Sequence, residues 1–216
     1  MEMLQKLAHP GIIPFVGFCS SSNNNHQKNI FLLKYAENKS LQDVFIARSQ
    51  GKTPIWWDLE QQYLFIYGIA VTMNYLHSLM KTHQNLTPSN ILIDENFEPQ
   101  ITDFYQSKFF PKFELNNENL KKYNLIYYTD PYILNSNGKF HQKSDVFSFA
   151  IIAIQILSGN VEIYEDYGDD IDSFIEDLKK GSIMPMIPEN IPFELSELLI
   201  SCLSFETRNR PLFPKI

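Results

Sequence analysis

Cysteine, basic charge and long apolar segments are all scarce in this sequence. Its only cysteines, Cys19 and Cys202, are far apart and outside any metal-ligand spacing, which argues against a disulfide framework and favours a reducing compartment. A net charge of −7 disfavours nucleic-acid binding, which needs a basic surface. The most apolar run, residues 146–157, is too short to span a bilayer, and the N-terminus lacks a signal-peptide pattern. We therefore expect a cytoplasmic protein without a membrane span.

The front of the chain carries strand patterns. A length of 216 residues favours one compact domain, or one large lobe with part of a second, and suffices for an apolar core. Two apolar runs, 12–18 and 29–35, flank the polar tract 20–27, which predicts a β-hairpin whose tract is a surface loop. A second, shorter hairpin is predicted over residues 91–104, where ILID, ENFEP and QITDF read as strand, turn and strand.

The rest of the chain is predicted to be mostly helical. Ser40 can cap a helix start. A long amphipathic pattern covers residues 58–78, with Leu64, Ile69, Met73, Tyr75 and Leu76 as its apolar positions. A further helix is expected from Ser144, an acidic loop over 166–172 and a last buried helix over 195–203. The fold class is therefore α+β.

One pair of polar residues in the sequence is suited to bind a metal. Asn90 and Asp103 flank the second hairpin and are thirteen residues apart, so the hairpin brings them to the same end. A carboxylate and an amide oxygen suit Mg²⁺, a hard cation that takes oxygen ligands and shares them with phosphates. Taken alone, the same two residues are more often capping and turn residues.

The order of motifs resembles the eukaryotic protein kinase superfamily, and most closely its tyrosine-kinase-like and receptor-associated branch. HQNLTPSN at 83–90 resembles the catalytic loop HRDLKPSN, DFY at 103–105 resembles DFG, and KSDVFSFA resembles the helix after the activation segment. LLKYAENKSL at 32–41 is similar to the hinge. The resemblance covers nearly the whole chain. It implies a kinase-like fold with a remnant of the β-rich N-lobe over 1–35, and a hinge and mainly helical C-lobe over 36–216.

The resemblance places neutral residues at three charged positions of the catalytic loop. The catalytic base is replaced by Asn85, the phosphate-supporting lysine by Thr87, and the arginine that pairs with a phosphorylated segment by Gln84. In kinases the aspartate positions the substrate hydroxyl and accepts its proton. A neutral amide is a poor base, and losing general-base assistance costs on the order of 10²–10⁴ in rate.

The metal positions of the resemblance are kept, whereas other phosphate-binding parts are not. Asn90 and Asp103 match the two Mg²⁺ ligands, but Tyr105 replaces the DFG glycine and restricts that backbone. The family's glycine-rich loop and strand lysine have no counterpart, and Glu2 lies two positions too late to replace its helix glutamate. We expect a chain that is N-terminally truncated relative to a kinase domain, and weak or absent Mg-ATP binding.

The resemblance also predicts the buried residues that hold a kinase core together. Leu4, Phe15, His83 and Phe104 match the apolar column that stacks through that core, and Asp145 matches its anchor. The alternative is that these are ordinary core residues.

Three further positions correspond to cofactor-contacting residues. Leu33 matches the gatekeeper beside the adenine ring, Tyr35 lies in the hinge and Leu92 matches the floor under the ring.

Two features follow the expected activation segment. Asp130-Pro131-Tyr132 stands where the family has APE, so Arg210 needs another ion-pair acceptor, for which Glu206 is a candidate. Hydroxyls in the segment could be phosphorylated, although packing of the peptide-docking shelf is the more frequent role; these are Tyr123, Tyr127, Tyr128 and Thr129. The tryptophans at 56–57 are predicted to pack in the core.

We expect a catalytically impaired, kinase-like signalling scaffold or allosteric partner of other signalling proteins, such as an active kinase. Asn85, Thr87, Tyr105 and Tyr132 carry this expectation together with the unmatched front. The alternative is an active ATP-dependent serine/threonine kinase whose N-terminal part is missing from this chain, which does not account for Asn85.

Overall fold

A computed structural model describes residues 7–23, 26–104, 125–136, 139–160, 164, 167 and 170–216. The predictions made for Glu2, Leu4, Tyr105 and Tyr123 lie outside these residues. Within these ranges, no helix is both long and apolar enough to cross a membrane.

An antiparallel hairpin opens the described chain, in which β1 (Phe15–Asn23) pairs with β2 (His26–Leu33). The prediction that residues 20–27 are only a surface loop is wrong, because the two strands run through most of that tract. A two-stranded ribbon is held by backbone hydrogen bonds and can keep both faces in water, so a polar composition does not exclude strand pairing.

The helices predicted after Ser40, over 58–78, from Ser144 and over 195–203 are present, and further helices and 3₁₀ turns lie between or after them. The helices of the described chain are α1 (Leu41–Ser49), α2 (Leu59–Ser78), α3 (Pro131–Asn135), α4 (Gln142–Ser158), α5 (Ile171–Lys180) and α6 (Phe193–Cys202), with 3₁₀ turns at Pro88–Asn90, Leu125–Tyr128, Thr207–Asn209 and Phe213–Lys215. The result is an α+β architecture with a mainly helical body.

Helices α2 and α4 pack against each other and form the centre of the core. The cap of α2 is Asp58, whose side chain accepts a hydrogen bond from the Gln61 backbone, and this confirms the predicted helix over 58–78. Buried residues of α2 include Phe65, Ile69 and Met73. The expectation that Leu64 belongs to this apolar face is wrong. Its side chain is 54% exposed, because one residue step turns it about 100° away from Phe65.

Helix α5 was not predicted and replaces part of the expected acidic loop. Asp170 caps it by accepting a hydrogen bond from the Ser173 backbone, so Asp172 lies in the helix and not in a loop. Its apolar side is buried and consists of Phe174, Ile175 and Leu178. A helix N-terminus favours acidic residues, so the acidic run that predicts a loop is also the signal of a helix start.

The second hairpin positions the candidate site. Strand β3 (Ile91–Ile93) pairs antiparallel with β4 (Pro99–Ile101), as predicted. The segment before β1 is hydrogen-bonded to β4, since Ile13 N donates to Ile101 O and Ile101 N donates to Gly11 O. Gly11 is required at this close approach, because a Cβ there would collide with the Thr72 side chain. The domain division at residue 35 stays a prediction.

Candidate functional site

The ends of the second hairpin bring Asn90 and Asp103 together. The Thr102 backbone donates to the Asn90 carbonyl at 2.9 Å, and Asn90 Nδ2 lies 3.5 Å from Asp103 Oδ2. The predicted convergence of the two side chains is therefore confirmed. Their role as metal ligands stays a prediction.

Asn85 contacts this pair directly. Its side-chain Nδ2 donates to Asp103 Oδ2 at 2.7 Å, and its backbone carbonyl accepts from Asn90 Nδ2 at 2.9 Å. A carboxylate only accepts hydrogen bonds, so the amide must present its NH₂ group, and not its oxygen, to Asp103. The residue at the expected base position therefore acts as a hydrogen-bond donor to the expected metal ligand.

The backbone is strained on both sides of this contact. Gln84 and Asp103 have φ values of 70° and 65°, in the left-handed region that residues with a Cβ rarely adopt. Such conformations persist only where surrounding contacts hold them, and they concentrate at functional sites.

Asp145 binds the backbone at the start of the catalytic loop. Its buried carboxylate accepts from the backbone nitrogens of His83 at 2.8 Å and Gln84 at 2.9 Å, and it contacts His77 Nε2 at 2.8 Å. We call these four residues the support network. Asp145 therefore has the anchoring contacts that the sequence predicted.

The His83 ring is neutral and has a partner on each nitrogen. Its Nδ1 accepts from the Asn85 backbone at 3.2 Å and its Nε2 donates to the Thr102 carbonyl at 2.9 Å. Burial lowers the pKa of this imidazole, since the interior disfavours the charged form. The ring also packs edge-on against Phe104, with 5.1 Å between centroids, as expected for neighbours in the apolar column.

Thr87 supplies no charge to the site. It is buried, and its hydroxyl is hydrogen-bonded to Ser89 Oγ at 2.9 Å. Residues 83–90 contain no lysine or arginine, so this loop offers no side-chain cation to a phosphate. The catalytic role of its position stays a prediction.

The three predicted cofactor-contacting residues lie around the hinge. Leu33 ends β2 and is half-buried, and Leu92 lies in β3, where it forms an isolated bridge with Ser40. Tyr35 is 79% exposed, so its side chain is not part of the packed interior. Lys34 ties the hinge to the second hairpin, with both Glu95 oxygens 2.8 Å from its Nζ. Their contacts with a nucleotide stay predictions.

Arg210 has a partner other than the one expected. Its guanidinium lies 2.8 Å from Asp130 Oδ1, and both side chains are fully buried. The suggestion of Glu206 is wrong, since that side chain instead lies 3.8 Å from Arg208 on the surface. The carboxylate needed by Arg210 is present two positions before Tyr132.

The described hydroxyls of the expected activation segment are packed or hydrogen-bonded. Tyr128 donates to Gln155 Oε1 at 3.0 Å, and burial raises its pKa. Tyr127 packs 5.3 Å from Phe174, and the Thr129 hydroxyl donates to the Leu125 carbonyl. Packing, the more frequent of the two roles considered, is the one observed.

The tryptophan pair packs as predicted. Trp57 is buried in the core 5.1 Å from Phe65, and Trp56 stacks on Phe97 at 4.6 Å.

The residues present do not fit a tight Mg²⁺-nucleotide site. Among the described residues, the candidate site offers one carboxylate, Asp103, and its Oδ2 accepts a hydrogen bond from the Asn85 amide. Mg²⁺ prefers several oxygen ligands in near-octahedral geometry, so it would have to displace or share that hydrogen bond.

A helical body, a hinge, and an Asn–Asp pair at the end of a hairpin above a buried aspartate define a protein-kinase-like domain. The family model for protein tyrosine and serine/threonine kinases matches residues 1–216, and the chain belongs to this family. Members of the family generally use Mg-ATP.

Curated relatives agree with this assignment. The chain is 26% identical over 233 residues to an Arabidopsis thaliana protein named "Probably inactive leucine-rich repeat receptor-like protein kinase", a match that covers all of this chain and 22% of the relative. It is 28% identical over 221 residues to cysteine-rich receptor-like protein kinase 36 of the same plant, covering 97% of this chain and 32% of the relative. The chain thus spans a third or less of the length of these relatives.

Proposed function

We propose that this domain is a kinase-like signalling module with impaired phosphoryl transfer, which acts as a scaffold or allosteric partner of other signalling proteins, such as an active kinase. The observation that carries the proposal is the donor role of Asn85, whose amide faces Asp103 where a kinase has a carboxylate base. We place the protein in the cytoplasm and the domain in the tyrosine-kinase-like branch.

The chemistry of the loop supports impairment. The NH₂ group at Asn85 has no lone pair available for a substrate proton, and the amide oxygen is a weak base. The neutral Thr87 gives no charge stabilisation to a transferring phosphate, which in kinases comes from positioned cations and metal ions. Weak or absent Mg-ATP binding follows from the same two losses.

The buried architecture supports a binding role. The support network holds the loop backbone at His83 and Gln84, and the buried Arg210–Asp130 ion pair joins the start of α3 to the C-terminal segment. A fold that keeps these contacts can present a defined surface to a partner. The chain also resembles a relative whose name describes it as probably inactive.

One observation favours the second candidate, an active serine/threonine kinase that includes residues outside this chain. Asn90 and Asp103 converge, as the two metal ligands of a kinase do. The Asn85 amide on Asp103 argues against this candidate, which makes it the weaker of the two.

Transfer of γ-phosphate to a generic protein substrate tests the proposal. We expect the full-length protein that contains this domain, in millimolar Mg-ATP, to give no more incorporation than its Asp103→Ala variant, which removes the carboxylate of the predicted metal pair. Incorporation above that of Asp103→Ala would contradict impaired transfer and favour the second candidate.

A further inference from the structure

Two side-chain amides lie on one carboxylate oxygen of Asp103. Asn85 Nδ2 donates to its Oδ2 at 2.7 Å, and Asn90 Nδ2 lies 3.5 Å from the same oxygen. We propose that the Asn85 amide takes the place of a divalent cation at Asp103 and joins the catalytic loop to the end of the second hairpin without metal. The inference rests on the proposed function, because it concerns the same site.

The surrounding contacts fix the Asn85 amide in place. Asn85 is 9% exposed, and its backbone is held on both sides, with its N–H on His83 Nδ1 and its carbonyl on Asn90 Nδ2. A cation approaching Asp103 Oδ2 would meet the polar hydrogens of the amide. It could bind there only after the amide turned away and gave up a charge-assisted hydrogen bond.

The residue type at position 85 decides whether a cation is needed. An aspartate that kept the Asn85 rotamer would place a second carboxylate oxygen where the amide now donates to Asp103 Oδ2. Two carboxylates in such close contact repel each other unless a cation lies between them. Asparagine removes one charge and adds a donor, so the pair is satisfied by itself.

The strained backbone adds a reason for this hydrogen bond. Gln84 and Asp103, whose φ values are both positive, flank the contact along their two segments. Strain of this kind must be held by neighbouring interactions. The Asn85–Asp103 hydrogen bond connects the two segments and can hold both without a ligand.

Melting temperatures in MgCl₂ and in EDTA, at matched ionic strength and without nucleotide, test the proposal on the full chain. We expect the wild-type melting temperature to be the same in both. Asn85→Asp should melt lower than wild type in EDTA and regain at least about 3 °C in millimolar Mg²⁺.

Two variants serve as controls. Asn85→Asp with Asp103→Asn restores one carboxylate facing one amide and should lose the Mg²⁺ response. Asn190→Asp adds the same charge at an exposed turn and should behave as wild type. A wild-type response to Mg²⁺ that Asp103→Asn removes, or no Mg²⁺ response in Asn85→Asp, would overturn the proposal.

A second measurement does not depend on the folding of any variant. Paramagnetic Mn²⁺ titrated into isotope-labelled wild-type chain should leave the Asn85 side-chain NH₂ signals and the Asp103 backbone signal unbroadened. Selective broadening of these signals at micromolar Mn²⁺ would show that a cation binds and would contradict the proposal. Both tests omit ATP, so their failure is separate from a failure of the phosphate-transfer test.

Discussion

The catalytic loop of this domain lacks charged residues that the family has, whereas the support network beneath it keeps its buried carboxylate. In the loop itself, Asn85 and Thr87 are neutral where the family has charges, and Asn85 donates to Asp103. On the side facing the interior, Asp145 keeps its three contacts and Arg210 keeps a carboxylate partner. A charge that acts on substrate can be lost without harming the fold, whereas an unpaired buried charge destabilises it whatever the function.

The ion pair of Arg210 illustrates this difference most clearly. Tyr132 replaces the expected glutamate, yet Asp130 supplies a carboxylate to the same guanidinium. Asp130 also caps α3, since Tyr132 N donates to its Oδ1 at 2.9 Å. The charge has thus moved by two residues and has not been lost.

The largest effect is expected from Asp145→Ala. It leaves the backbone donors of His83 and Gln84 buried without an acceptor, each at a cost of about 1–3 kcal/mol, so we expect a loss of about 4 kcal/mol in the free energy of unfolding. Urea denaturation measures this loss. Glu189→Gln, at an exposed turn, is the control and should change little. Equal effects of the two variants would show that Asp145 is not a support of the loop.

A slightly smaller effect is expected from Asp130→Ala. Removing one partner of a buried ion pair costs about 3–5 kcal/mol, and we place this variant near 3 kcal/mol. Adding Tyr132→Glu to it should restore part of the stability, because a carboxylate returns to the position that the family uses. If the double variant were no more stable than Asp130→Ala, the idea of a relocated charge would be wrong.

Acid should destabilise the domain through His83. Burial lowers the pKa of this imidazole in the folded state, so below pH 6.5 the unfolded chain binds a proton that the folded chain does not. Stability should therefore fall with decreasing pH below 6.5, by up to about 1.4 kcal/mol per pH unit. His83→Phe should be less stable at pH 7 but show a flatter pH dependence. An unchanged dependence in this variant would assign the effect to other groups.

The smallest effect is expected from Tyr128→Phe. It removes one buried hydrogen bond to Gln155, worth about 1 kcal/mol. Since the hydroxyl is buried and packed, an added tyrosine kinase should not phosphorylate Tyr128 in the folded chain, which peptide mass spectrometry can check. Efficient modification under native conditions would show that this segment opens.

Local contacts could be predicted from the sequence, whereas contacts between distant segments could not. The meeting of Asn90 and Asp103 follows from a short hairpin, and the helix cap at Ser40 follows from the residue type. The pairing of Arg210 with Asp130 joins segments eighty residues apart, so proximity in sequence suggested Glu206 instead. An aspartate directly before Pro131 is the signal of a helix cap, but residue type alone does not indicate that the same carboxylate also pairs with Arg210.

The hydrogen-bond partner of the Asn85 amide could not be predicted from the sequence either. The motif order marked it as a position without a base, but the direction of its amide depends on which groups surround it in the fold. Only the structure shows that its NH₂ group lies on Asp103.

Thermal unfolding of the wild-type chain with and without millimolar Mg-ATP tests the support network and the candidate nucleotide site in one experiment. We predict a single cooperative transition, because the support network is intact, and a midpoint that Mg-ATP does not move, because the site facing substrate does not hold the nucleotide. An increase of several degrees that Asp103→Ala abolishes would contradict the account.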